Sequence, residues 1–166
     1  MTPARSQPGP ADANALSYAQ TKRTQKRVAA ERIGVDADFI GHLVETFYAK
    51  IRNDELLGPV FAERISDWPA HLSRMKGFWR SVLHNSGEFS GNPMLKHLSI
   101  PGLEFAHFSH WLDLFYEALR DLEGHPSATV LIGQRARMIA DSLLTAIEIR
   151  RSGLAGGKAG KDLPHV

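Results

Sequence analysis

The sequence predicts an all-α fold. Apolar residues in the middle of the chain recur at intervals of three and four, which is the spacing of one helix face. Asp, Asn or Ser stands before several of these runs as a candidate cap, and no convincing stretch alternates apolar and polar residues as a half-buried strand would. At 166 residues and 43% hydrophobic content, we expect one domain with one core.

The first core helix is predicted over DADFIGHLVETFYAKIR, residues 36–52. Ile40, Val44, Phe47 and Ile51 form one apolar stripe behind an Asp cap, and Tyr48 lies at the edge of that stripe. The following LLGPVFAERI reads as a turn with about one helical turn.

A second helix is predicted to begin after Ser66 as cap, since Pro69 is tolerated in a first turn. Its apolar face consists of Trp68, Leu72, Met75, Phe78, Trp79 and Val82. His71 lies within that face, about 40° from Met75. Without further information, a histidine there is more often a hydrogen-bonded core residue than a functional one.

Three more helices are predicted in the second half. A very short one begins at Asn92-Pro93 and ends before Pro101. A long one runs from about Glu104 to Glu123, and the last from about Ser127 to Arg151. The long helix has Phe105, Phe108, Leu112, Phe115 and Leu119 as its stripe, and the last has Ile132, Ala136, Ile139, Leu143 and Ile147.

The segment GNPMLKHLSIPGLEFAHFSHW, residues 91–111, carries three histidines. The helical angles predict His110 as a solvated surface residue and His107 as a boundary residue. His97 lies on the short helix between Pro93 and Pro101. Such a helix would hold an axial ligand of a flat apolar cofactor at a fixed distance and angle. On spacing alone, a capping or core histidine remains the stronger interpretation of His97.

Charge is divided unevenly along the chain. Residues 1–30 carry a net charge of +4 and residues 151–166 a net charge of +2, whereas residues 31–150 hold 12 Lys/Arg and 16 Asp/Glu. We therefore predict a disordered basic extension over 1–30, a folded domain over 31–152 and a flexible Gly/Lys tail over 153–166. A membrane- or partner-docking arm around TKRTQKR is the alternative for the extension.

The composition excludes some classes of site. There is no cysteine, so a disulfide framework, a thiolate nucleophile and a zinc-thiolate centre are impossible. No run is long and apolar enough to suggest a membrane span, and no secretory h-region begins the sequence. We expect a cytoplasmic protein without membrane partners.

Several motifs agree in order and spacing with one family. FYAKIR, LLGPVF, a Trp three residues before His71, GFW, GNPMLKHL and FSHWLDLFYEAL together resemble the group III truncated haemoglobins. The resemblance covers about residues 31–150, which also lack the Gly-Gly pairs of other truncated groups. It implies a shortened globin, a two-over-two helical sandwich, with haem (iron protoporphyrin IX) as cofactor.

The resemblance also implies site roles. His97 matches the proximal iron ligand, Tyr48 and Trp111 match the two distal hydrogen-bonding residues, and His71 matches a distal histidine that can act as a gate. Phe61 matches the phenylalanine that packs on the porphyrin. The expected pocket walls are Phe47, Met75, Phe78 and Val82, while Arg74 and Lys96 read either as propionate partners or, more simply, as surface charge.

From the residues themselves, Tyr48 and Trp111 each combine an apolar ring with a hydrogen-bond donor. Such donors strengthen the binding of a ligand that becomes partly negative. Core packing is the alternative for both: it is as good an interpretation for Tyr48 and the stronger one for Trp111.

The leading functional prediction is a monomeric globin that binds dioxygen and other diatomic ligands. Nitric oxide or peroxide chemistry, with an unidentified reductase as partner, is left open. One alternative is a non-haem metalloprotein using His71, His97 and His107, although the carboxylate-rich helical motif of such sites is missing. Another is a helical module whose basic arm binds nucleic acid, which the acidic middle of the chain disfavours.

Overall fold

The structure, a computed structural model, describes residues 10–166, with side chains from residue 14 onward. These residues form helices and turns without a strand, which confirms the all-α prediction. The helices in chain order are α1 (Pro10–Arg32), α2 (Ala37–Arg52), α3 (Leu57–Ala62), α4 (Trp68–His84), α5 (Pro93–Leu98), α6 (Phe105–Asp121) and α7 (Pro126–Ser152), followed by a short 3₁₀ helix (Gly153–Gly156). Within this described part, no helix has the length and apolar character needed to cross a membrane.

Four long helices form the predicted two-over-two sandwich. α2 packs on α4, α6 packs on α7, and α2 also packs on α6, which joins the two pairs. The short α3 packs on α2, and the short α5 packs on α7. The largest fully buried side chains are Phe47, Phe115, Ile40, Leu43, Ile51, Leu112, Leu119, Ile132, Leu144, Leu163, Val35 and Val44. The predicted stripe of α2 therefore faces the core.

Polar side chains cap the first turns of α2, α4 and α5 and so determine where these helices begin. Asp36 caps α2 by accepting a hydrogen bond from the Phe39 N–H, and Asn92 caps α5 by accepting one from the Leu95 N–H. The cap of α4 differs from the prediction, because Asp67 rather than Ser66 accepts the hydrogen bond from Ala70 N–H, at 3.0 Å. The carboxylate one residue later is the stronger acceptor for the positive end of a helix. α4 consequently begins at Trp68.

Residues 10–30, part of the predicted disordered extension, are helical in the structure. They belong to α1, whose side chains are exposed from Asn14 to Arg27, while Ala30 near its end is buried. Lys26 Nζ donates to the Val82 carbonyl of α4 at 2.9 Å. Strong intrinsic helix formers, mainly Ala, Gln, Lys and Arg, support this helix without an apolar stripe. The remaining residues of the predicted extension, 1–9, lie outside the described part.

In the structure, the predicted flexible tail over 153–166 packs against α6 and α7. Leu163 is 1% exposed, and its carbonyl accepts a hydrogen bond from Arg137 Nε on α7. Tyr116 on α6 donates its hydroxyl proton to the Pro164 carbonyl at 2.9 Å. The tail approaches α7 so closely that a side chain at Gly133 would overlap Val166. Hydrogen bonds to its backbone carbonyls and one buried leucine thus hold this segment in place, although its composition offers little apolar surface to bury.

Candidate functional site

Aromatic rings from α2, α4 and α6 meet in one cluster. Phe47 makes edge-to-face contacts with Tyr48, Trp111 and Phe115, with centroid distances of 5.0, 5.2 and 5.1 Å. Phe115 is stacked between Trp111 at 5.3 Å and Trp79 at 5.0 Å. Both arrangements are favourable for aromatic pairs. We call Phe47, Tyr48, Trp79, Trp111 and Phe115 the aromatic cluster.

Tyr48 connects the aromatic cluster to α3 and α4. Its ring contacts those of Phe61, Trp68 and His71, with centroid distances of 5.8, 6.1 and 5.1 Å. Only 6% of Tyr48 is exposed, and this burial raises the pKa of its hydroxyl above the ordinary value of 10. The hydroxyl therefore stays protonated and able to donate a hydrogen bond over the whole physiological pH range.

His71 carries an unpaired buried nitrogen. Its Nε2 atom is inaccessible to solvent and has no hydrogen-bond partner within residues 14–166. Burial lowers the pKa of His71, and the positive charges of Arg74 and Lys96 lower it further. The imidazole is therefore neutral at physiological pH. Because buried polar atoms are nearly always paired, this unpaired nitrogen requires an explanation, and a bound polar group would provide one.

His97 is fixed by its own helix. Its Nδ1 lies 2.7 Å from the carbonyl oxygen of Pro93, one turn earlier in α5. A carbonyl can only accept, so Nδ1 carries the proton and donates it. With the proton on Nδ1, the lone pair of Nε2 is the one that can face another partner. In metal sites, a hydrogen bond of this kind on one ring nitrogen orients the other toward the metal.

The predicted site residues fall into two groups. Tyr48, Trp111, Phe61 and His71 are joined directly or through Phe47 by ring contacts. His97 lies apart on α5, which packs on α7.

The predicted pocket walls on α4 are half-buried. Met75, Phe78 and Val82 pack on the core but keep part of their apolar surface accessible. Phe78 also contacts Phe89 of the following loop, at a centroid distance of 5.1 Å. Large apolar side chains left partly uncovered in this way can contact an apolar ligand.

The other two histidines of the 91–111 segment have structural partners. His107 Nδ1 accepts a hydrogen bond from the Glu104 N–H in a capping box at the start of α6. His110 is not the freely solvated residue predicted: its Nε2 lies 2.5 Å from Asp54 Oδ2, and its side chain is 37% exposed. Helical angles could not reveal Asp54, which comes from the turn after α2.

The geometry also bears on the non-haem alternative. Among the described residues, no three His, Asp or Glu side chains come close enough to hold a metal ion. His71, His97 and His107 thus do not form the cluster that this alternative requires. A cleft of about 860 Å³, lined by residues of α6, α7 and the tail that include Glu104, Arg151 and Lys158, contains none of the predicted site residues.

One contact of the site was not predicted from the sequence. The guanidinium carbon of Arg52 lies 4.7 Å from the centroid of the Trp68 ring, which in turn contacts His71 at 5.7 Å. Arg52 follows Tyr48 by four residues on α2, so the two share one helix face. That spacing was the only signal in the sequence, and it did not identify Trp68 as the partner.

Comparison with known proteins identifies the fold and the family of the chain. The chain matches the crystal structure of group III truncated hemoglobin from Campylobacter jejuni with a TM-score of 0.64 and 34% identity, over 68% of this chain and 91% of that one. Its fold is therefore that of a truncated globin. The curated group 3 truncated hemoglobin ctb of Campylobacter jejuni is 36% identical over 110 residues, 64% of this chain and 86% of the relative. The chain belongs to the group III truncated haemoglobins, as the motifs predicted. No family model matches it.

Proposed function

We propose that the chain binds haem through His97 and uses it to bind dioxygen and other diatomic ligands. The observation that carries this proposal is the hydrogen bond from His97 Nδ1 to the Pro93 carbonyl, because it leaves Nε2 as the nitrogen for iron. Membership of the truncated haemoglobins supports the same cofactor.

The residues present fit a haem. The group needs one nitrogen ligand, apolar contacts on its faces and a polar environment for the ligand that it binds. His97 offers the nitrogen, and Phe61, Met75 and Phe78 offer accessible apolar surface. The unpaired Nε2 of His71 offers a polar atom that has no other use within the described chain.

Haem, when bound, would supply an iron that takes diatomic ligands and polarises them. Tyr48 and Trp111 would stabilise such a ligand by donating hydrogen bonds from the hydroxyl and the indole N–H. The raised pKa of Tyr48 keeps the first donor available. His71, being neutral and packed against Tyr48, would limit access to the same space.

The reaction beyond binding depends on a reductant. Nitric oxide dioxygenation or peroxidase-like turnover would require electrons from outside, which an unidentified reductase would deliver. The polar groups proposed here serve oxygen binding and these reactions alike, so we propose ligand binding as the common function.

The experiment is a spectrum of the purified ferric, ferrous and ferrous carbon monoxide forms. We expect a Soret band that shifts with reduction and with carbon monoxide. His97→Ala should lose the haem or the iron–histidine stretch in resonance Raman, because no other histidine of residues 91–111 has a nitrogen placed in this way. His107→Ala and His110→Ala are the matched controls and should retain both signals. Haem loss in His107→Ala with His97→Ala unaffected would refute the assignment.

A further inference from the structure

Trp68 touches three residues of the site at once. Its ring lies 5.7 Å from that of His71 at an interplanar angle of 85°, and 6.1 Å from that of Tyr48. Trp68 also contacts Arg52, whose guanidinium carbon lies 4.7 Å from the centroid of the Trp68 ring. Arg52 is exposed, Trp68 is half-buried, and the Nε2 atom of His71 is fully buried. Arg52, Trp68 and His71 therefore form a continuous series of contacts from solvent to this nitrogen, called here the row.

The direction of helix side chains makes this row mechanically relevant. Side chains in an α-helix lean toward its N-terminus and cover the preceding turn. His71 therefore leans over the turn that begins with Trp68, three residues earlier on α4. For the His71 ring to swing outward, the indole has to move, and the indole is held by Arg52 and by Tyr48.

We propose that Arg52 and Trp68 form a latch that holds His71 over the pocket and so sets how fast diatomic ligands enter and leave. The inference rests on the proposed haem function for its effect on ligands, but the latch itself acts on His71. Arg52 and Trp68 act in this proposal as positioning residues, through the contacts of Trp68 with Arg52 and with His71. Since ligand passes only while the ring is turned out, both rates scale with the population of that open state.

A latch has a kinetic signature that differs from that of a hydrogen-bond donor. Loosening it raises association and dissociation by the same factor and leaves the equilibrium affinity unchanged. Loss of a donor such as that of Tyr48 raises mainly dissociation. A residue that only packs the core changes the melting temperature and neither rate.

The first test measures carbon monoxide association by flash photolysis, and dissociation by ligand replacement, on the haem-loaded full chain. Arg52→Met should raise both rates about two- to fivefold, the factor expected for a cation–π contact of surface strength. Trp68→Leu should raise them by about tenfold, since it also removes two aromatic contacts. Arg150→Met, which removes an exposed arginine near the end of α7, is the control and should change neither rate. Unchanged rates in both latch variants would overturn the proposal.

The same substitutions are then repeated in a His71→Ala background. If the latch works through His71, neither Arg52→Met nor Trp68→Leu adds a further increase once the imidazole is gone. An increase that persists in this background would overturn the mechanism, because it would place the barrier at Trp68 itself.

A second test needs no haem. Diethylpyrocarbonate modifies neutral imidazole nitrogens that solvent reaches, and peptide mass spectrometry gives the rate at each histidine. Arg52→Met and Trp68→Leu should speed modification of His71 and leave that of the exposed His125 unchanged. Equal His71 rates in wild type and variants would refute the latch. Absence of a Soret band in wild type would instead refute the proposed function, so the two failures are distinguishable.

Discussion

Tyr48→Phe separates a ligand-binding role of Tyr48 from a packing role. The substitution removes one hydroxyl and keeps the ring, so the contacts with Phe47, Phe61 and His71 are retained. The residue as a whole is only 6% exposed, and Phe fills nearly the same volume, so the packing around it should be preserved. Any large effect on ligand release then reflects the lost donor.

The size of the effect follows from the hydrogen bond. A hydrogen bond to a charged or partly charged group contributes about 1.5–3 kcal/mol. At about 1.4 kcal/mol per factor of ten, dioxygen should leave Tyr48→Phe about ten- to a hundredfold faster. Carbon monoxide, which is less polar when bound, should respond far less. Stopped-flow mixing of the oxygenated protein with dithionite or carbon monoxide measures the dioxygen rate.

Tyr116→Phe is the matched control. Tyr116 is buried to a similar extent, at 3% exposure, but its hydroxyl donates to the Pro164 carbonyl at 2.9 Å. Its loss should cost about 1 kcal/mol of unfolding free energy and leave dioxygen release unchanged. If dioxygen leaves Tyr48→Phe at the wild-type rate, the polar pocket is wrong. If both gases leave faster by the same factor, Tyr48 acts sterically and the electrostatic argument fails.

Three further results are expected. Leu163→Ala should lower the unfolding free energy by about 2–3 kcal/mol, or the melting temperature by roughly 5–10 °C. Leu154→Ala is the control and should change neither quantity, because Leu154 is 94% exposed. Equal effects of the two substitutions would indicate a flexible tail. Burial would raise the pKa of Asp54, but hydrogen bonds from the Leu57 N–H and from His110 lower it below the ordinary 3.8. Asp54→Asn should therefore lower the unfolding free energy measured in urea at pH 7. This loss of free energy should shrink as the pH falls below about 4 through the lowered pKa of Asp54, and a loss that is independent of pH would contradict the prediction. Haem removal should lower the melting temperature and the helix content measured by circular dichroism, because a ligand of the native state stabilises it, and equal melting of both forms would exclude this linkage.

The sequence was sufficient for features that depend on neighbours along the chain. The stripe of α2 was predicted because Ile40, Val44 and Ile51 repeat at helical spacing, and all three are buried. The start of α5 was predicted from Asn92-Pro93, since cap and first-turn preferences are local. Family membership was predicted from motifs in fixed order. The roles of individual site residues stay predictions that the experiments above test.

Contacts between distant segments could not be predicted. Asp54 and His110 are 56 residues apart, and no periodicity indicates that the turn after α2 meets α6. The tail was missed for a related reason: its hydrogen bonds are made by backbone carbonyls, such as that of Leu163, which every sequence has. The helix over residues 10–30 is not evident from composition, because low apolar content is typical of disorder, although intrinsic helix propensity acts without burial.

The chain contains three tryptophans, Trp68, Trp79 and Trp111, and each of them contacts a ring of the candidate site. Its tryptophan fluorescence therefore originates from one place in the molecule. A haem bound there would absorb at the wavelengths that these indoles emit and would quench all three by energy transfer. Emission from this protein is accordingly a measure of how many molecules lack the cofactor, even when the rest of the fold is intact.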